Sequence, residues 1–366
     1  MRQLVVALLA CLLAGVPAAW ADVSLQSLGS CNVSGADRYD LMATGISADG
    51  SVIVGVVGGS TGPLFRWTAA TGAVLLTDGA GDPLVGGSLD VSYDGSTMAG
   101  TMSTSSGYRP FTMTAGGTPT VLSMPAGATG VDGAYISADG STIGGSFSGT
   151  EYGYYTWTSS TSWQGTLCNL GAPEQASGDF TASIRSPGYW TQAGGQAYFD
   201  PPSSGYPYGP VMVMSGDGTA IAASGYYDSG MFGSIWRAST GWQPMQGAPG
   251  SMQFEQLTPC GISDDGSVVL GITVTGDQAV FWSEDSGWLG LQDFLQGNGI
   301  DVLSLFPNGL DALTYPRVLL SADGSTIAGF ATKDGMAYVA VIPEPATMSL
   351  LGLGLGVTLL RRRRAK

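Results

Sequence analysis

The sequence predicts an all-β fold: a β-propeller of about seven (six to seven) four-stranded blades, with an N-terminal signal helix and a C-terminal transmembrane helix attached. Three observations predict it. One phrase, GISADGSVIVG at 45–55, returns five more times along the chain. Glycine reaches 58 of 366 residues while charged residues make up only 11%, which suits many short strands joined by tight turns. The two ends of the chain also differ in composition from everything between them.

The chain begins as a secretory signal. Arg2 supplies a short positive region, Leu4 to Val16 an apolar one, and Ala19-Trp20-Ala21 the small residues that a signal peptidase requires before its cut. Cleavage after Ala21 leaves Asp22 as the new N-terminus and 22–342 as the repeat domain. A lipoprotein signal through Leu8-Leu9-Ala10-Cys11 fits less well, because the apolar run before Cys11 is short and Leu9 is bulky for its place.

The body is one unit repeated. After GISADGSVIVG come DVSYDGSTMAG at 90–100, YISADGSTIGG at 135–145, MSGDGTAIAAS at 214–224, GISDDGSVVLG at 261–271 and LLSADGSTIAG at 319–329. Each copy is followed by an aromatic strand: LFRWTAATG, YRPFTMTAGG, YYTWTSSTSW, SIWRASTGW, VFWSEDSGW and AYVAVI. One unit is therefore strand, turn, strand, loop, aromatic strand, turn and a short fourth strand. Four strands in about 45 residues is the size of a propeller blade. The opening serines are spaced by 45, 45, 78, 48 and 58 residues. The 78-residue gap is close to two units, and FTASIRSPGYWTQAGGQAYFD at 180–200 reads as a degenerate one. The 58-residue gap holds LQDFLQGNGIDVLSLF at 291–306, which reads as an inserted short helix. VSLQSLGS at 23–30 is a strand with no Asp-Gly turn before it, so it can complete the last blade and protect its edge. An open β-solenoid is the alternative architecture; it needs capping ends, and none is visible.

The turn residues Asp49, Gly50, Asp94, Gly95, Asp139, Gly140, Asp217, Gly218, Asp265, Gly266, Asp323 and Gly324 read as structural. Two geometries fit them. In one the serine opens a turn at position i and glycine takes a left-handed conformation at i+3. In the other Asp-Gly forms a two-residue hairpin with both residues at positive φ.

Residues 22–342 hold 27 acids against seven Lys plus Arg, a formal charge of −20. Such a body repels nucleic acid and anionic surfaces, and nucleic acid is excluded as a partner. Histidine is absent, which removes the commonest general base near neutral pH and the commonest zinc ligand. The recurring aspartates offer one carboxylate per turn, or two at Asp264-Asp265, whereas calcium needs six to eight oxygens from one place. Glu151, Glu174, Glu255 and Glu284 are scattered, and a glycosidase needs two carboxyls about 5–10 Å apart. No nucleotide-binding glycine fingerprint is present. No catalytic residue, metal or cofactor is expected. Trp67, Trp157, Trp163, Trp236, Trp242, Trp282 and Trp288, with Tyr152 and Tyr154, can either stack on sugars or pack between blades. Once Cys11 leaves with the signal, Cys31, Cys168 and Cys260 allow one disulfide in any of three pairings.

At the other end, Pro343-Glu344-Pro345 precedes an apolar stretch, Ala346 to Leu360, and then Arg361, Arg362, Arg363 and Arg364. Fifteen residues make a helix of about 22 Å, short for a bilayer core of about 30 Å. The arginines keep the C-terminus cytoplasmic and the body outside. This ordered triplet resembles the PEP-CTERM sorting signal of Gram-negative bacteria. The resemblance implies recognition by an exosortase, transient anchoring in the inner membrane, and delivery to the cell surface or the exopolysaccharide matrix. Over 40–342 the repeats resemble the HAF family of extracellular repeats, through GISADGSVIVG, the FRWT and FW-x-E-x-x-GW strands and the closing LQDFL…SADGSTIAG…IPEP arrangement. This chain lacks the histidine of that family's tripeptide. The resemblance implies a propeller-like exported protein with no assigned chemistry. Together these point to a non-enzymatic structural or binding module touching polysaccharide or another surface protein, with an extracellular propeller-fold glycan hydrolase as the alternative.

Overall fold

A computed structural model describes residues 23–149, 153–166, 212–227, 230–245, 257–273, 278–310 and 318–342, and four strands between 175 and 198. The expected signal segment and sorting tail lie outside the described residues. The architecture is all-β and antiparallel. Unit 1 spans the strands from Leu41–Ile46 to Gly72–Leu75, and unit 2 those from Val85–Val91 to Thr120–Val121. These two share one eight-stranded sheet because Gly62 and Pro63 pair with Gly86 and Val85. Unit 3 (Ala128–Ile136 to Ser162–Thr166), unit 4 (Gln175–Ala176 to Gly195–Tyr198), unit 5 (Met212–Met214 to Gly241–Pro244) and unit 6 (Leu257–Ile262 to Gly287–Gly290) are separate four-stranded sheets. Unit 4 occupies the long gap, where the sequence places a degenerate copy.

Unit 7, the last of the described residues, has three strands of its own, Leu319–Leu320, Thr326–Ala331 and Met336–Val341. Its fourth is β1, Ser24–Ser27, which pairs with Met336–Val341 from Ser24↔Val341 to Ser27↔Tyr338. The N-terminal strand therefore completes the C-terminal sheet, as the orphan strand at 23–30 predicts.

The core lies between units, and the second strand of each unit shows why. Val52–Val57 is buried along its whole length, a continuous apolar run that only a strand covered on both faces tolerates. Its alternate residues face opposite neighbours. Val52, Val54 and Val56 pack with Leu89, Met98 and Phe111 of unit 2. Ile53 and Val57 pack with Ala328, Ala337 and Val339 of unit 7. The first unit thus touches both the second and the last. Units 5 and 6 meet through Ala222, Ile235, Val269 and Trp282, and units 6 and 7 through Leu270, Phe281, Ile327 and Tyr338. The first strands of units 1, 2, 3 and 6 each carry a bulge, as between Ala43 and Gly45, which adds twist where sheets crowd together.

The six turns share one geometry. The Gly50 N–H donates to Ser47 O at 3.0 Å, the Ser47 N–H to Val52 O at 2.9 Å, and Gly50 has φ +69. Asp49 is not among the residues at positive φ. This is the turn opened by serine with a left-handed glycine at i+3; the two-residue Asp-Gly hairpin is excluded. All six serines are buried. The Ser47 hydroxyl donates to Asp49 Oδ1 and accepts from the Val52 N–H, each at 2.9 Å. Ser321 repeats this with Asp323 at 2.6 Å and the Thr326 N–H at 2.9 Å. Ser321→Ala would leave the Thr326 N–H buried and unpaired, and chemical denaturation is expected to show a loss of about 1–3 kcal/mol.

The inserted segment forms two helices, α1 (Leu291–Gly297) and α2 (Val302–Leu305), whose Leu291, Leu295 and Val302 sit in the unit 6–unit 7 core. Cys31 and Cys260 are unpaired; burial pushes their thiols up to about 11 and about 12. A disulfide between these two is excluded, and Cys168 lies outside the described residues. Among the described residues, no helix is long and apolar enough to cross a membrane.

Candidate functional site at the centre of the turns

Beside four of the turn serines a backbone N–H donates to the next unit. The Ala48 N–H donates to Tyr93 O at 3.0 Å and the Tyr93 N–H to Ala138 O at 2.9 Å. On the other side, the Asp264 N–H donates to Ala322 O at 2.8 Å and the Asp323 N–H to Ala48 O at 3.0 Å. Five of the six turn glycines also dock on the preceding unit. A Cβ on Gly95 would come within 2.5 Å of Val52 Cγ2, one on Gly266 within 2.7 Å of Ala220, and one on Gly324 within 3.1 Å of Val268. Gly50 makes the equivalent approach to Thr326, from unit 1 to unit 7. The glycines are needed twice over, for positive φ and for close approach.

Within this belt two side chains break the pattern of small residues. Tyr93, from unit 2, reaches across to unit 6 and donates its hydroxyl to Asp264 Oδ1 at 2.7 Å. Asp264 also receives the backbone N–H of Gly216 in unit 5. A Cβ on Gly216 would overlap both Tyr93 Oη and Asp264 Oδ1, so glycine is required for the three to meet. Burial pushes the Tyr93 hydroxyl up, and the Asp264 hydrogen bond and charge add to it, with Asp217 and Asp90 contributing further. Burial also raises the Asp264 carboxyl against the pull of Tyr93. The phenol stays protonated, which a hydrogen-bond donor to a carboxylate must.

Asp90 sits two residues before its turn serine. Its Oδ1 accepts the Val91 N–H at 2.9 Å and its Oδ2 the Ile136 N–H of unit 3 at 3.1 Å. The side chain passes under unit 1, where a Cβ on Gly45 would lie 2.8 Å from Oδ1. Burial raises this carboxyl to about 6, against the two N–H donors. Because the folded state binds this proton more tightly than the unfolded chain, the protonated form favours folding. The penalty enters as pH rises from about 4 through about 6, reaching about 3 kcal/mol for a shift of about two units. Asp90→Asn should flatten that part of the stability–pH curve; an unchanged slope in thermal melts across this window would contradict the assignment.

The turn aspartates are spent locally. In Asp94 the Ser96 N–H and the Ser92 hydroxyl hold the carboxyl below its usual value, and in Asp139 the Ser137 hydroxyl and Ser141 do so. In Asp49 and Asp265 burial raises it, but the Ser51 and Ser267 donors outweigh that. Among the described residues, no group of three or more Cys, Asp or Glu side chains could hold a metal ion. Glu284 pairs with Arg237 at 3.1 Å; Glu151, Glu174 and Glu255 lie outside the described residues.

The tryptophans pack. Trp67, Trp282 and Trp288 are buried. Trp157 pairs across strands with Trp163, Trp236 with Trp242, and Trp282 with Trp288. In two of the pairs the second reaches back: the Trp288 indole donates to Met245 O of the preceding unit at 3.1 Å, and Trp163 donates to Ser123 O. Trp157 and Trp163 pack on the unit 2–unit 3 core. The side chains of Tyr152 and Tyr154 lie outside the described residues, as do Ala19, Ala21, Pro343, Glu344, Pro345, Arg361, Arg362, Arg363 and Arg364.

A family model described as the PEP-CTERM protein-sorting motif matches residues 341–364. The chain thus carries a motif that implies export and sorting to the cell surface in Gram-negative bacteria. A search of curated proteins finds no match. Among solved structures, an oligogalacturonate lyase from Vibrio parahaemolyticus aligns with 88% of this chain and 98% of its own, at 12% identity and a TM-score of 0.55. An oligogalacturonate lyase in complex with manganese aligns with 88% of this chain and 97% of its own, at 13% identity and a TM-score of 0.53. These likenesses show a propeller-like all-β fold and nothing of the chemistry.

Proposed function

We propose that this chain is an exosortase-processed protein of the cell surface or extracellular matrix, whose body is a closed seven-bladed β-propeller with HAF-type repeats acting as a structural or binding module without catalytic activity. The observation that carries the non-catalytic reading is the meeting of Tyr93, Asp264 and Gly216. Carboxylates of a working propeller site would face an open central cleft. Here Asp264 is engaged by a tyrosine from the far side and by a backbone N–H, and the turn aspartates are bonded to their own turns. The exported protein is expected to associate with neutral polysaccharide without releasing new chain ends; appearance of new reducing ends on incubation would favour the hydrolase alternative.

The sorting half of this reading has its own test. Glu344→Ala combined with Pro345→Ala is expected to leave full-length protein in the inner membrane. Normal processing and release of that variant, followed by immunoblotting of fractions, would show that the motif is not what the exosortase reads.

A further inference from the structure

The two ends of the body leave it at the same place. Ser24 pairs with Val341, Val341 also pairs with Thr326, and the Ile342 N–H donates to Ser325 O at 2.7 Å. Ser325 directly follows the turn glycine Gly324. Ile342 is 2% exposed, so the folded body extends to the residue before Pro343. Only Pro343, Glu344 and Pro345 separate it from the apolar stretch that starts at Ala346. Three residues span at most about 10 Å.

From this we infer that, while the tail is anchored, the protein stands with its turn face against the membrane and presents the opposite face outward. The inference rests on the sorting-tail reading above. The turn face carries the exposed carboxylates Asp49, Asp94 and Asp139, so it meets the lipid headgroups without inserting. The opposite end holds the loops between second and third strands, and there lie the exposed Tyr39, Val85 and Tyr108. The tether keeps these three away from the bilayer.

Two labels test this on the chain after signal cleavage, residues 22–366, in phosphatidylcholine vesicles containing headgroup-nitroxide lipid. Ala70→Cys places a fluorophore at the turn end of unit 1, and Ser60→Cys places one at its other end. Both positions are exposed, and the strand between them, Gly62–Thr68, is about 23 Å long at about 3.3 Å per residue. Cys168→Ser removes one competing thiol, while Cys31 and Cys260 stay unreactive because burial raises them. The label at 70 is expected to be quenched several-fold more than the label at 60. A long Gly/Ser insertion between Ile342 and Pro343 is expected to erase the difference. Equal or reversed quenching in a vesicle-bound chain overturns the orientation alone, as does a difference that survives the insertion. Failure of the chain to associate with vesicles overturns the tail reading and the orientation with it.

Discussion

Removal of residues 23–28 is expected to abolish cooperative folding of the body. The deletion takes β1 from the last sheet and with it Leu25 and Leu28, which are 8% and 1% exposed. Burying each such side chain contributes about 1.5–3 kcal/mol. The Leu28 N–H to Ala337 O bond and the ladder from Ser24 to Ser27 are lost as well, at about 0.5–1.5 kcal/mol for each hydrogen bond. The sum is on the order of the whole stability of a domain, about 5–15 kcal/mol. The strand Met336–Val341 would become a bare edge, prone to pairing with other chains. Circular dichroism melts and size-exclusion profiles check this. Adding the peptide 22–30 in trans should recover part of the transition, since it can re-form the missing strand by β-addition. A truncated chain that melts like the intact one would mean that the first and last units hold together without β1.

The second large effect is expected at Gly50. Gly50→Ala forces a side chain into the left-handed region, at about 1–2 kcal/mol, and drives its Cβ into Thr326 of unit 7. Overpacking of that kind adds about 1–3 kcal/mol. Gly72 is the control: it has φ +64 with nothing within 4 Å of a built Cβ. Gly72→Ala should lose only the conformational part, so the difference between the two variants reads the contact between the first and last units. Equal losses in urea titrations would remove that contact from the account.

The repeat was legible because its signals are local. Asp-Gly after a serine specifies a turn, β-branched neighbours specify strands, and six copies set the unit length without reference to any contact. The orphan strand at 23–30 could be assigned to the last sheet for the same reason: every other strand already had a place. What periodicity could not carry was which of two turn geometries the Ser-x-Asp-Gly phrase adopts, because both place glycine at positive φ; the buried serine, bonded to its own aspartate and to the N–H five residues on, selects one.

Composition also left the tryptophans open between binding and packing. That choice depends on the neighbouring sheet, where Trp288 finds Met245 O and Trp67 enters the unit 1–unit 7 core. Asp90, Tyr93 and Asp264 do not stand out as a group in what the repeats share. The signal lay in the departures: the position after the turn serine is Ala48, Ala138, Gly216 or Ala322 in four copies, and only Tyr93 and Asp264 are large or charged. The repeat unit, the positions of its turns and the sorting motif were legible because each depends on residues adjacent in the chain, and the completing strand because no other unit had a place for it. That Tyr93 and Asp264, 171 residues apart, meet is a product of packing, because hydrogen bonds between distant units exist only once the units are in place.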